Sequence, residues 1–206
     1  MTSMKGLALV ALALACLACA NAQRCDMPQE FEARVVRFDP DRRYYHNHTS
    51  QYRSYGAYAY DGVELRIWRR EDITVGDSAT DRVEVLELYK SQKAYVTNLT
   101  TGKCTSYNIN FPFRHHDINP NARFVGYETL GNSEDSITLS QWVAVNQTYH
   151  GEPGAHVYQT FTQECVPVRD DVMVPDSGFH YEEFTDVTLG VQDPNIWIPP
   201  ADCHSA

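Results

Sequence analysis

An all-β fold, mainly antiparallel, is what this sequence predicts, and three observations predict it. Segment after segment is rich in β-branched and aromatic residues, turn dipeptides separate these segments, and no apolar stripe of helical period runs to useful length.

Taken in order, the expected strands are 31–38, 54–60, 63–68, 83–89, 94–99, 124–129, 136–145 and 156–161. In Val83-Glu84-Val85-Leu86-Glu87-Leu88 the two valines share one face and Glu84 takes the other, which is the alternation of a half-buried strand. Ile137-Thr138-Leu139 and Val143-Ala144-Val145 repeat it. Turn signals stand between: Asp61-Gly62, Gly76-Asp77, Thr101-Gly102, Gly131-Asn132 and Glu152-Pro153-Gly154. Asp61-Gly62 lies directly between apolar runs and predicts a hairpin. Residues 37–53 are the most polar stretch and read as a long solvated loop. Ile196-Trp197-Ile198-Pro199-Pro200 is apolar, but proline cannot donate to a ladder, so this piece is expected to pack over the sheet. The layers form a sandwich or a strongly curved sheet.

The first residues read as a secretory signal. Lys5 supplies the positive start, Leu7 to Ala20 an uncharged apolar run, and Ala20-Asn21-Ala22 the small-residue cleavage site. The domain boundaries follow: 1–22 signal peptide, 23–206 one domain. The apolar run falls short of the roughly 20 residues a membrane-spanning helix needs. Loss of Lys5 takes the formal charge from −10 to −11, and so acidic a surface repels nucleic-acid phosphates and anionic headgroups. No second apolar segment appears, so the chain is read as not spanning a membrane.

Cys16 and Cys19 leave with the signal. Cys25, Cys104, Cys165 and Cys203 remain, and an even number in an oxidising compartment points to disulfides, with three pairings open. No Cys-x-x-Cys pair survives to suggest zinc. Three sequons, Asn47-His48-Thr49, Asn98-Leu99-Thr100 and Asn146-Gln147-Thr148, are expected glycan acceptors.

Enzyme signatures are missing: there is no G-x-S-x-G elbow, no H-E-x-x-H, no phosphate-cradling glycine loop and no EF-hand loop. His46 with His48 would share a strand face and could hold a metal. His115-His116-Asp117 is the other histidine cluster, its adjacent imidazoles pointing to opposite sides. Glu71-Asp72, Asp77, Asp81 and Asp170-Asp171 offer hard oxygens to Ca²⁺ but follow no known ligand spacing. Aromatic residues are abundant, with thirteen Tyr, eight Phe and three Trp. Tyr52, Tyr55, Tyr58 and Tyr60 gather on one expected strand, with Trp68 across the hairpin. Such side chains fill cores and also line pockets.

Laid out in this order, the residues carry a resemblance. Cys25-Asp26-Met27-Pro28-Gln29-Glu30-Phe31-Glu32-Ala33-Arg34, Tyr60-Asp61-Gly62, Gly102-Lys103-Cys104, Glu164-Cys165-Val166-Pro167-Val168 and Leu189-Gly190-Val191-Gln192-Asp193-Pro194, then Pro199-Pro200 and Cys203, resemble the ependymin-related family across the mature chain. That resemblance implies two stacked, curved antiparallel sheets around a deep apolar pocket, similar to bacterial lipoprotein carriers. It implies fatty-acid or lipid-like ligands, Ca²⁺ association, a homodimer, and extracellular or lysosomal residence. It pairs Cys25 with Cys165 and Cys104 with Cys203. Expected pocket walls are Tyr58, Tyr60, Leu65, Ile67, Trp68, Leu86, Leu88 and Trp142. The function expected is a secreted, non-enzymatic binder of a hydrophobic ligand that requires no cofactor. The alternative is an extracellular-matrix or adhesion glycoprotein with calcium-modulated contacts.

Overall fold

A computed structural model describes residues 24, 26–44, 48–77, 80–149, 152–175 and 178–205. The strands are β1 (Glu30–Tyr44), β2 (His48–Asp61), β3 (Arg66–Val75), β4 (Asp81–Leu88), β5 (Lys93–Asn98), β6 (Cys104–Asn108), β7 (Arg123–Gly131), β8 (Ser136–Tyr149), β9 (Glu152–Thr162), β10 (Pro167–Val174), β11 (Gly178–Leu189) and β12 (His204–Ser205). They form one sheet in the order β12-β6-β5-β4-β3-β2-β1-β11-β10-β9-β8-β7. Every neighbouring pair is antiparallel except the two-residue β12, which runs parallel to β6. The all-β antiparallel class is as the sequence predicts. The two layers expected are halves of a single hydrogen-bonded sheet, joined where β11 returns to pair with β1. Its ends do not meet, so it is open rather than a closed barrel.

Alternation sorts the side chains between two faces. Phe31, Ala33, Val35 and Arg37 on β1 are buried, and register sets them beside Tyr60, Tyr58, Gly56 and Ser54 of β2. These define the inner face. At Gly56 a side chain has no room, because a Cβ would overlap the carbonyl oxygen of Arg70 on β3 and lie 2.7 Å from the Cα of Glu71. The inner face continues through Ile67, Arg69 and Glu71 of β3 and Phe184 and Glu182 of β11. It then runs through Asp170 and Val172 of β10, Gln159 and Val157 of β9, and Trp142 and Ala144 of β8.

Residues 37–53 are not the long loop that their polarity suggests: β1 and β2 run through them and pair to Tyr44↔His48. Charge misled here because a strand open on one face carries polar residues at every second position. Strands β6, β10, β11 and the two-residue β12 also escaped the sequence reading. Their polar residues, such as Asp170, His180 and Glu182, looked like loop.

Two caps complete the molecule. The β2–β3 turn is closed by fully buried Asp61, whose Oδ1 accepts from the amides of Val63 and Glu64 at 3.0 and 2.8 Å. Its Oδ2 holds the Arg66 guanidinium at 2.7 Å. On the outer face, a 3-10 turn at Pro194–Trp197 drops Trp197 onto Ala59 and Leu86, with Trp68, Leu88 and Tyr95 packed around it. The C-terminal apolar stretch therefore covers the sheet, as expected. A Cys104–Cys203 disulfide ties this end to β6 across a sequence separation of 99. A loop that long restricts the unfolded chain by about 4 to 5 kcal/mol.

Candidate ligand-binding face

Residues 109–122, between β6 and β7, take neither helix nor strand and cross the inner face as a roof. Phe113 stacks on Tyr60 at 5.5 Å and meets Tyr89 edge-on at 4.9 Å. His116, 6 % exposed, sits edge-on to Tyr60 and Phe184 and near Phe31. Ile118 enters a second cluster with Trp142, Val157 and Phe161. Beneath the first part of the roof lies an aromatic floor of Phe31, Tyr58, Tyr60 and Phe184. The roof is held mainly by side-chain contacts. Arg114 donates to Asp170 at 3.0 Å, Gln159 donates to the Asp117 carbonyl at 3.2 Å, and the Asn119 amide donates to Gln159 at 2.7 Å.

Beside that floor the inner face carries charge. Arg37 donates to Glu71 at 2.6 Å and to Glu182 at 2.7 Å. Ser54 donates to Glu71 at 3.0 Å. Arg69 donates to Glu87 at 2.6 Å, and the Tyr89 hydroxyl donates to Glu87 at 3.1 Å. Burial by itself would lower the pKa of Arg37, but Glu182 and Glu71 overcome it and hold the guanidinium charged. Burial likewise pushes Glu182 up, yet Arg37, with His116 and Arg114, brings its carboxyl down to about 2. Burial raises the Tyr58 hydroxyl well above its ordinary range and takes Tyr60 up to about 12, so both remain neutral donors.

The sequence-expected walls do not converge. Tyr58, Tyr60 and Ile67 share the aromatic floor. Trp68, Leu86 and Leu88 occupy the outer face under Trp197. Trp142 belongs to the distant cluster on β8 and β9. Leu65 lies in the β2–β3 turn at a φ of 54°. Neighbouring residues on a strand point to opposite faces, which is why Ile67 and Trp68 part company. An outer-face groove of about 530 Å³ has Val36, Phe38, Gln51, Arg53, Tyr55 and Tyr181 among its walls. A smaller hollow of about 270 Å³ opens between Arg24, Asp26, Met27, Gln29, Asp117 and Ile118. None of the eight expected wall residues lines either of these two.

The buried ion pairs were not anticipated. Their signal is in the sequence: Arg37 follows Phe31, Ala33 and Val35 at strand spacing, and Arg69 and Glu71 stand in phase with Ile67 and Ile73. Charged residues in phase with an apolar face mark a buried network.

The carboxylates offered for calcium are largely engaged by arginine: Asp72 with Arg82, Glu71 with Arg37, Asp170 with Arg114 and Asp171 with Arg169. Among the described residues no group of three or more His, Cys, Asp or Glu side chains is placed to hold a metal. His115 and His116 do not sit on a strand, and both meet the same pair of inner-face tyrosines: exposed His115 lies 3.3 Å from the Tyr60 hydroxyl and buried His116 2.6 Å from that of Tyr58. His46 and Asn47 lie outside the described residues, and so does Cys25. Cys165 is buried and disulfide-bonded. Asn98 closes the β5–β6 turn by accepting from the amides of Thr100 and Thr101, and Asn146 is exposed at a φ of 55° where β8 bulges. Among the described residues no helix is long and apolar enough to cross a membrane.

The Ependymin family model matches residues 77–203. Mammalian ependymin-related protein 1 of Rattus norvegicus is 24% identical over 184 residues, covering 89% of this chain and 78% of the relative. The Mus musculus protein of the same name is 23% identical with the same coverage. Among solved structures, a chain of the Pseudomonas aeruginosa MucA/MucB complex aligns over 81% of this chain and 54% of its own length. That alignment has 10% identity and a TM-score of 0.34, too loose to carry any statement about this protein. The family match takes in well over half of the sequence, and the chain belongs to the ependymin family.

Proposed function

We propose that this protein is a secreted, N-glycosylated binder of a hydrophobic ligand of the fatty-acid or lipid class, taken up between the roof and the aromatic floor. One observation carries the reading. A segment without regular secondary structure covers an inner face made of Phe31, Tyr58, Tyr60, Ile67 and Phe184. Strands on either side are locked by ladders, whereas Phe113, half-buried on the floor, makes ring contacts with Tyr60, Tyr89 and His115. A guest that replaces Phe113 regains the same apolar burial, worth about 25 cal/mol per Å² removed from water. The Tyr60 and Tyr89 hydroxyls and Arg69 lie at the edge of that floor to orient a polar headgroup. Secretion, glycosylation at Asn47, Asn98 and Asn146, and the Cys25–Cys165 bridge belong to the same proposal. Residence outside the cell fits it, because a carrier of this kind needs only burial and no cofactor. No calcium step enters, since the nearby carboxylates are engaged by arginine.

The test is uptake of a fluorescent fatty-acid analogue by delipidated protein at pH 7.5. Wild type should take up about one equivalent. Phe113→Ala, which removes the resident ring, should bind several-fold more tightly. Absence of uptake by both proteins across chain lengths from short to long would remove the carrier reading.

A further inference from the structure

The roof carries one histidine whose surroundings are incomplete. The His116 imidazole is 6 % exposed, and its Nε2 shares a 2.6 Å hydrogen bond with the Tyr58 hydroxyl. Among the described residues its buried Nδ1 has no hydrogen-bond partner, and Asp170 Oδ2 lies 3.8 Å away. As the ring is placed, neither neutral tautomer satisfies this site: with Nδ1–H the buried proton reaches Asp170 only after the ring moves, and with Nε2–H a bare lone pair faces a carboxylate. Only the imidazolium meets that carboxylate with a charge as well as a proton.

The charges around the ring have the same bias. On β1 stands Arg37, on β2 the neutral hydroxyls of Tyr58 and Tyr60, and on β3 Arg69 and Glu71. Glu87 lies on β4, Asp170 on β10 and Glu182 on β11, while Arg114 belongs to the roof itself. Phe31 of β1 and Phe184 of β11 contribute uncharged ring contacts, and Gln159 of β9 donates to Asp170. Three guanidiniums thus meet four inner-face carboxylates, with the Asp117 carboxyl and the exposed His115 imidazole flanking His116 on the roof. His180 of β11 is already matched with Asp39 of β1 at 2.9 Å and does not touch the roof segment in this way.

We infer that protonation of His116 latches the roof, so that residues 109–122 close more firmly over the inner face as the pH falls from about 7.5 to 5.5. This regulation rests on reading 109–122 as a displaceable roof. The imidazolium donates from both nitrogens, to the Tyr58 hydroxyl and, after a shift of under about 1 Å, to Asp170. It also supplies the fourth positive charge. When the roof lifts, His116 parts from Asp170 and Tyr58, so the contacts that a doubly donating imidazolium makes exist only in the closed form. A ligand would then enter at neutral pH and meet a tighter cover in an acidic environment.

Amide hydrogen exchange of the ligand-free full chain tests this, corrected for the intrinsic pH dependence of exchange. Peptides covering 109–122 should exchange at least about threefold more slowly at pH 5.5 than at pH 7.5 in wild type, a local opening effect. His116→Gln keeps a hydrogen bond to Tyr58 but cannot be charged, and it should show no such slowing. Asp170→Asn, which removes the carboxylate and leaves the imidazole, should flatten the response as well, and it decides the matter if His116→Gln does not fold. Unchanged or faster exchange at pH 5.5 in wild type overturns the inference, as does a wild-type pH response in either folded variant. The readout needs no ligand. Failed uptake of fatty-acid analogues at pH 7.5 therefore leaves it standing, and a flat exchange profile leaves the carrier reading standing.

Discussion

Glu182 shows how a single residue can carry a pH dependence. Its carboxyl is one of two that bracket Arg37, and it is held down to about 2 against an ordinary value of 4.5. A folded-state pKa below the unfolded one means that the stabilisation is full above about pH 4.5 and is lost as the pH falls towards 2. Urea unfolding followed from pH 6 to pH 2 should show a falling midpoint in wild type and a shallower fall in Glu182→Gln. The residue-scale lesson of the sequence is mixed. Asp61-Gly62 was legible as a turn because both residues act locally, Asp61 through the amides of Val63 and Glu64. For Arg37 the phase with Phe31, Ala33 and Val35 marks it as inward, but not which residues it pairs with, because Glu71 and Glu182 are 34 and 145 residues away.

At the scale of the element, β2 illustrates what pairing demands. Tyr52, Ser54, Gly56, Tyr58 and Tyr60 all point inward, yet only at Gly56 does the neighbouring β3 backbone come close enough to exclude a side chain. Gly56→Ala forces the two strands apart or shifts the register, and overpacking of this kind costs about 1 to 3 kcal/mol. The expected result is a lower urea midpoint with an unchanged slope; an unaltered midpoint would mean that the β2–β3 contact is looser than the register implies. Short stretches of alternation, Val83 with Val85 on β4 and Ile137 with Leu139 on β8, together with β-branched content, made these two strands readable from the sequence. It could not show that β10 and β11 are strands, because Asp170, Glu182 and His180 interrupt the inward row of Val172, Val174 and Phe184, and their burial depends on Arg37, Arg114 and Asp39.

For the whole molecule, the C-terminal segment matters most. Trp197 covers Ala59 and Leu86, the Arg66 guanidinium lies 4.5 Å from its ring centroid, and Cys203 is anchored to Cys104 just beyond. Replacing both cysteines, as Cys104→Ser with Cys203→Ser, frees this end. The chain should lose about 4 to 5 kcal/mol of stability by the loop-closure argument, and the indole emission should shift to the red as Trp197 meets water. Retention of wild-type stability and emission would show that packing alone holds the segment. The sheet of eleven antiparallel strands is thus covered on both faces, by the roof on the inside and by the tied C-terminal stretch on the outside.

By itself, the sequence determined the class of secondary structure, most of the turns and the fact that Ile196 to Pro200 covers rather than extends the sheet. Those properties follow from local sterics, from the two-residue period of a strand and from proline's missing N–H. Only the tertiary structure decided which face each strand turns inward, that Tyr58, Tyr60 and Ile67 meet while Trp68, Leu86, Leu88 and Trp142 lie elsewhere, and that His116 ends beneath a roof beside Asp170. These are consequences of register between strands far apart in the chain, and a shift of one residue in any pairing exchanges the two faces.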